Sequence, residues 1–178
     1  MKISKLVKLS AIVAVVMSTN SYSADETLTS AEIGTLATVA AIDKGEILVS
    51  AVAENKKAPN LVDDYAKMMI TQHGNNLAQI LEMAGKFNVS ELTGGDSDKL
   101  TDQNKADLMK LGALEGSKFN AEYADAMVSG HEAALKLIDD DLMKTAENKQ
   151  VKKFLTETRA AVVEHLKHAK KLQSHLKT

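Results

Sequence analysis

Apolar side chains recur at steps of three and four residues through four long segments of the chain, the spacing that places them on one face of an α-helix. The composition agrees, because the chain has one proline and no tryptophan but is rich in alanine, leucine, lysine and glutamate. Each segment also carries one ionisable residue near the middle of its apolar stripe: Glu46, His73, His131 and His165. We therefore predict an all-α domain with polar groups facing its core.

Residues 1–23 are predicted to be a cleaved export signal. Lys2, Lys5 and Lys8 precede a short apolar run over residues 9–17, and small polar residues follow. That run is too short to span a bilayer, which takes about 20 residues. We expect residues 24–178 to form one domain with no membrane-spanning segment, located in the periplasm or otherwise exported. Peripheral association with the outer membrane is left open.

Charge and cysteine content limit the classes of partner and cofactor. Without residues 1–23 the chain has 19 Lys and Arg against 24 Asp and Glu, a net charge of −5, which argues against nucleic acid as a partner. The absence of cysteine excludes disulfides, thiolate metal ligands and covalently attached c-type haem. The charged helix faces do not indicate a specific partner, and an envelope protein is left open as the class of partner.

The first two segments are predicted to form an antiparallel hairpin. Thr29 and Glu32 have the spacing of a capping box, so the first helix should cover about residues 30–54. Pro59 fits the first turn of a second helix, which should end near Lys86.

The last two segments are predicted to form a second hairpin, joined to the first by a long crossover. The third helix should run from about Asn120 to Thr145, and Asn148 fits the N-cap of the fourth. The connection over 88–118 is longer than the 2–8 residues or so that link antiparallel neighbours, and it contains a short helical pattern at 101–115. A ferritin-like four-helix bundle is the architecture that fits this order.

The four ionisable residues lie at similar heights along these predicted helices. His131 lies 16 residues before the turn of its hairpin and His165 lies 18 after it, a mismatch of about 3 Å. Glu46 lies 11 residues before its turn and His73 lies 16 after it, a mismatch of roughly 7.5 Å. We expect all four side chains to reach one site, with Tyr65, Tyr123 and His168 as neighbours.

Two interpretations of this cluster stay open. Three imidazoles and a carboxylate suit one transition metal ion, such as zinc, copper or iron, with copper favoured by intrinsic affinity. Alternatively, the cluster is a structural polar network in which Glu46 holds a histidinium, in a non-enzymatic envelope-interaction or stress-related protein.

Enzymatic activity is not indicated by any motif. The chain has no nucleophile–base signature and no phosphate-binding loop. A di-iron ferritin site requires Glu-x-x-His pairs, whereas Glu164 and His168 are four residues apart and Ile70 stands three before His73. The sequence gives no support for a ferroxidase.

Four pieces of the sequence carry a family resemblance: Gly45-Glu46-Ile47, Tyr65 to Asn76, Phe119 to Tyr123, and His165 to Ala169. With them the chain resembles a ferritin-like family of exported bacterial proteins of unknown function, often labelled as outer membrane proteins. The resemblance implies a four-helix bundle over nearly the whole mature chain. In that family aspartate usually precedes the histidine of the second helix, whereas this chain has Gln72 before His73.

Overall fold

The computed structural model describes residues 27–177, which form helices and contain no strand. The all-α prediction is confirmed. The predicted export signal lies outside the described residues. In chain order the helices are α1 (Ser30–Asn55), α2 (Asn60–Lys86), α3 (Ser97–Gly112), α4 (Gly116–Leu137), α5 (Met143–Thr145) and α6 (Lys149–Leu176), with a π-helical turn at Ile138–Leu142.

The N-terminus of α1 is held by the predicted capping box. The Thr29 hydroxyl accepts a hydrogen bond from the Glu32 backbone N–H at 3.2 Å, and Glu32 Oε2 accepts one from the Thr29 backbone N–H at 2.9 Å. Glu32 is buried, and its Oε1 accepts hydrogen bonds from the backbone N–H groups of Glu147 and Asn148. One carboxylate therefore caps α1 and fixes the turn that leads into α6.

The chain turns back after α1 to form a hairpin with α2. Pro59 was expected in the first turn of α2, but it is the N-cap residue, and the helix begins at Asn60. Its carbonyl accepts hydrogen bonds from Val62 and Asp63, so the proline supplies the first acceptor of the helix although it has no N–H to donate.

Helix α3 lies along α1 and carries the chain from one end of the bundle to the other. It begins at Ser97, four residues before the predicted start, and ends at Gly112. The contacts follow both helices in the same order: Asp96 N–H donates to Thr38 Oγ1, Asn104 Nδ2 donates to the Ala41 carbonyl, and Lys56 Nζ donates to the Gly112 carbonyl. Parallel packing of α3 on α1 therefore returns the chain to the end where α4 begins.

The second hairpin starts earlier than predicted and contains a π-helical turn. Helix α4 begins at Gly116 rather than near Asn120, and the π-helical turn coincides with Asp139, Asp140 and Asp141. The N-cap prediction for α6 is confirmed, because the Asn148 side chain accepts a hydrogen bond from the Gln150 N–H at 2.8 Å.

The four long helices α1, α2, α4 and α6 all contribute buried apolar residues. Hydroxyl contacts of Ser50 with Tyr123 of α4 and of Thr35 with Thr145 of α5 place α1 antiparallel to the segment that runs from α4 to α5. A contact between Lys86 and Gln150 near the start of α6 places α2 antiparallel to α6. None of the helices within 27–177 has both the length and the apolarity needed to cross a bilayer.

The buried apolar residues form two clusters, one toward each end of the bundle. One cluster includes Met69 of α2, Met127 of α4 and Ala169 of α6, and the other includes Ile80, Ala134 and Val162 of the same helices. His73 of α2, His131 of α4 and His165 of α6 each lie between the two positions named for that helix. The fold therefore encloses a polar layer between two apolar clusters.

Candidate metal centre

Three buried histidines from three helices converge in this polar layer. His73 of α2, His131 of α4 and His165 of α6 are each less than 5 % exposed. The distances between ring centroids are 5.8 Å for His73–His131, 5.0 Å for His73–His165 and 5.3 Å for His131–His165. One ligand nitrogen from each ring lies within 4.8 Å of the other two. The structure thus brings the three predicted histidines together.

His73 is oriented by a buried carboxylate from α1. Its Nδ1 donates to Asp43 Oδ1 at 2.8 Å, and Asp43 Oδ2 accepts a second hydrogen bond, from Asn76 Nδ2, at 3.0 Å. The side-chain oxygen Oδ1 of Asn76 in turn accepts a hydrogen bond from the Thr158 hydroxyl at 3.0 Å. The proton on Nδ1 leaves the lone pair of Nε2 facing away from Asp43.

The other two histidines are oriented in the same manner. His131 Nδ1 donates to the Met127 carbonyl one turn earlier in α4, at 2.7 Å. His165 Nε2 donates to Gln72 Oε1 of α2, at 2.6 Å. These bonds leave the lone pairs on Nε2 of His131 and Nδ1 of His165. Hydrogen-bonded acceptors behind each ring are the usual support of metal-binding histidines.

Four buried side-chain atoms have no hydrogen-bond partner within residues 27–177: Glu46 Oε2, His73 Nε2, His131 Nε2 and His165 Nδ1. All four belong to the residues that the sequence singled out. Nε2 of His131 and Nδ1 of His165 are acceptors in the tautomers that their partners fix, Nε2 of His73 is an acceptor while that ring is neutral, and the carboxylate oxygen is also an acceptor. Acceptors cannot satisfy one another, and leaving each buried and unpaired costs about 1–3 kcal/mol.

Burial and neighbouring charges set the protonation of the three rings. Burial lowers the pKa of His131, against the smaller opposing effects of Glu46 and the Met127 carbonyl. Burial and the neighbouring His73, His131 and His168 lower the pKa of His165 to about 3. Burial also acts to lower the pKa of His73, but the hydrogen bond to Asp43 and the charges of Glu46 and Asp43 together raise it. At neutral pH His131 and His165 therefore offer uncharged nitrogens.

Glu46 lies beside the histidines without joining their close group. A Cβ atom on Gly130, the residue before His131, would lie 3.3 Å from its Oε1. Burial is the largest influence on the pKa values of His73, which it lowers, and of Tyr65 and Tyr123, which it raises; the charge of Glu46 acts to raise all three. The set of ligand atoms within 4.8 Å of one another nevertheless contains only histidine nitrogens in the described part of the chain. Glu46 is thus a neighbour of the three-histidine set.

The residues expected beside the site differ in their positions. Tyr65 donates to the His165 backbone carbonyl at 3.4 Å, and the Tyr123 hydroxyl contacts Ser50 Oγ at 2.8 Å. His168 is exposed and acts on His165 only through its charge. The two tyrosines therefore border the polar layer, whereas His168 lies outside it.

Sequence reasoning missed two residues that orient the histidines, Asp43 and Gln72. A signal for Asp43 was present, because it lies 14 residues before Lys57 and His73 lies 16 after it, a mismatch of about 3 Å. Asp43 is therefore more nearly level with His73 than Glu46 is. Gln72 was considered only as a neighbour of His73, whereas its side chain bonds His165.

Comparison with known proteins gives one family match. A family model described as a domain of unknown function (DUF4142) matches residues 18–172, a range that includes every residue of the site. No curated protein and no solved structure matches the chain.

Proposed function

The chain belongs to the family described as a domain of unknown function (DUF4142), and we propose from the geometry of its site that the protein binds one transition metal ion. The ligands are His73, His131 and His165, with Glu46 as a fourth donor that moves onto the ion. Zinc, copper and iron are the ions that suit this set of nitrogen and oxygen donors.

The observation that carries this proposal is the convergence of unpartnered acceptors. Three ring nitrogens and one carboxylate oxygen are buried with no hydrogen-bond donor among the described residues. A water molecule has two hydrogens and cannot donate to four acceptors, whereas a cation interacts with all of them. With metal–nitrogen bonds of about 2.0–2.1 Å, tetrahedral ligand nitrogens lie roughly 3.4 Å apart. The most distant pair, within 4.8 Å at present, has to approach by at most about 1.5 Å.

The same observation weighs against a purely structural polar network. Such a network is stable when each buried donor faces an acceptor. Here one nitrogen of each ring is hydrogen-bonded, but the other nitrogen of each ring and Oε2 of Glu46 have no partner within residues 27–177. The raised pKa of His73 fits either case, because a bound cation would displace the second proton of that ring.

We also propose that the protein is an exported ferritin-like bundle. The direction of the helices supports this architecture, because α1 and α6 run one way, α2 and α4 run the other, and α3 lies in the crossover between the hairpins. The sequence of residues 1–23 supports export to the periplasm, where an envelope protein is the class of partner to seek. Intact-mass measurement of the exported protein tests this, and a mass that retains residues 1–17 would contradict it.

Metal analysis and thermal unfolding test the proposed binding. Protein purified without chelator or affinity tag should contain bound metal, and one of Zn²⁺, Cu²⁺ or Fe²⁺ added to the apoprotein should raise its melting temperature. An ion at 100 times its Kd adds about 2.7 kcal/mol to the free energy of unfolding. Absence of metal together with an unchanged melting temperature would favour the structural network.

A pair of histidine variants makes the test specific. His131→Ala should abolish the metal-dependent rise in melting temperature while the helical circular dichroism is retained. His175→Ala, in the last turn of α6 and outside the polar layer, should change neither quantity. Equal stabilisation of both variants by metal would place the binding site elsewhere.

A further inference from the structure

Two cavities border the polar layer and meet different atoms of it. One cavity, of about 220 Å³, lies between α2 and α6 and includes His73 and His165 in its wall. The other, of about 200 Å³, lies between α1, α3 and α4 and includes Glu46 in its wall. A small molecule could approach the histidines from either side, so the atoms exposed to each cavity decide which approach leads to the ligand nitrogens.

The cavity between α2 and α6 meets the hydrogen-bonded side of the rings. Asp43 and Gln72 line it together with His73 and His165. Asp43 accepts the hydrogen bond from Nδ1 of His73, and Gln72 accepts the one from Nε2 of His165. The other nitrogen of each ring, Nε2 of His73 and Nδ1 of His165, is buried and has no hydrogen-bond partner within residues 27–177. A molecule in this cavity therefore reaches nitrogens that already carry a proton and a hydrogen bond.

The cavity between α1, α3 and α4 meets the other side of the site through Glu46. Glu46 Oε2 is buried and has no hydrogen-bond partner within residues 27–177. Gly130, beside His131 in sequence, also lines this cavity, and a Cβ atom there would lie 3.3 Å from Glu46 Oε1. The missing side chain leaves room for the Glu46 carboxylate beside α4, next to the residue that precedes His131.

The rest of this cavity sets the kind of molecule that fits it. Leucine, isoleucine, valine and alanine side chains form most of the wall, and α3 adds the polar groups of Gln103, Asn104 and Asp107. A volume of about 200 Å³ corresponds to about seven water molecules, since each takes about 30 Å³ in the liquid. Water and small anions fit this volume.

We propose that the coordination position not taken by histidine faces the cavity between α1, α3 and α4, and that a small exogenous ligand binds the metal there. Three protein nitrogens and one exchangeable ligand are typical of open zinc sites, in contrast to the four protein ligands of closed ones. Glu46 leaves the metal when this ligand binds. When the ligand is water, the displaced carboxylate accepts a hydrogen bond from it. The inference rests on the proposed metal binding and adds that the site is open to small molecules.

Azide added to the Co²⁺-loaded full chain tests the open position, because Co²⁺ gives visible bands that change when its ligands change. We expect azide to shift the spectrum saturably. Ala126→Leu fills the cavity between α1, α3 and α4, and Ala161→Leu fills the cavity between α2 and α6. Both alanines are partly buried helix residues. Ala126→Leu should weaken azide binding by about tenfold or more, with Co²⁺ affinity retained, while Ala161→Leu should leave azide binding unchanged.

Each outcome separates this inference from the proposed function. Co²⁺ bound without any response to azide would mean a closed site and overturn the inference while metal binding stands. Equal loss of azide binding in both leucine variants would also overturn it. If Co²⁺ does not bind at all, the proposed function fails and the inference with it. Should Ala126→Leu not fold, Ala133→Leu fills the same cavity from its exposed rim, and unchanged azide affinity there would again contradict the inference.

Discussion

Nε2 of His165 lies 2.6 Å from the side-chain oxygen of Gln72, although 93 residues separate the two in sequence. The amide oxygen can only accept, so it fixes the proton on Nε2 and leaves the lone pair on Nδ1, a buried atom with no hydrogen-bond partner within residues 27–177. Gln72 is itself exposed and lines the cavity between α2 and α6. A surface residue thus determines which nitrogen of a buried ring is available to a metal.

Gln72→Ala is expected to weaken metal binding without unfolding the bundle. Loss of the acceptor frees His165 to change tautomer and rotate, and removal of such supporting groups typically costs about 10–100-fold in metal affinity. Isothermal titration of the apoprotein with Zn²⁺ measures the change. Gln79→Ala is the matched control, because Gln79 lies on the same helix and lines the same cavity but has no bond to a site histidine. Equal affinities of the two variants would contradict the role of Gln72.

Asp43→Asn is expected to destabilise the apoprotein by about 1–3 kcal/mol. The carboxylate accepts from both His73 and Asn76, whereas an amide presents one oxygen and turns its N–H₂ group toward the other donor. Urea unfolding measures the loss, and Asp64→Asn, on the exposed face of α2, is the control.

The pKa of His73 should also fall in Asp43→Asn, because the hydrogen bond and charge of Asp43 help to raise it. A proton-NMR titration that finds the pKa of His73 unchanged would refute this role of Asp43.

The helices and the three histidines were predictable because each depends on a local pattern. Apolar periodicity, the capping box at Thr29 and the N-cap at Asn148 are all contained within a few residues. No local pattern marks Asp43, because an aspartate in a helix usually faces water. Asp43 is buried, but this depends on its partner His73 on another helix. Gln72 was missed for a related reason, because its partner lies on a different helix.

Two glycine substitutions should have opposite effects on stability. Gly34→Ala would place a Cβ atom 2.8 Å from the backbone nitrogen of Gly95, so the loop before α3 must move off α1, at a cost of about 1–3 kcal/mol. Gly74→Ala meets nothing within 4 Å and should stabilise α2 by about 0.5–1 kcal/mol, because alanine loses less backbone entropy in a helix. Urea unfolding of both variants measures the difference. Equal free energies would contradict the close packing of the loop on α1.

The Glu32 carboxylate should make folding stability depend on pH in the acid range. Burial raises the pKa of Glu32, but the hydrogen bonds from Asn148, Thr29 and Glu147 outweigh burial and hold it below its ordinary value of 4.5. A carboxyl group whose pKa is lower in the folded than in the unfolded state stabilises the fold fully above the unfolded value. That stability is lost as the pH falls from 4.5 through the lower folded value, because the unfolded chain takes up the proton first.

Glu32→Gln isolates this effect, because the other titrating groups contribute equally to both proteins. The variant should be less stable at neutral pH by about 1–3 kcal/mol, since an amide cannot accept from donors on both sides. The difference in unfolding free energy between wild type and variant should stay constant from neutral pH down to about pH 5.5 and shrink below 4.5. Urea unfolding at a series of pH values measures both curves. A difference that persists unchanged to about pH 3 would mean that the carboxylate does not hold the α5–α6 turn through its charge.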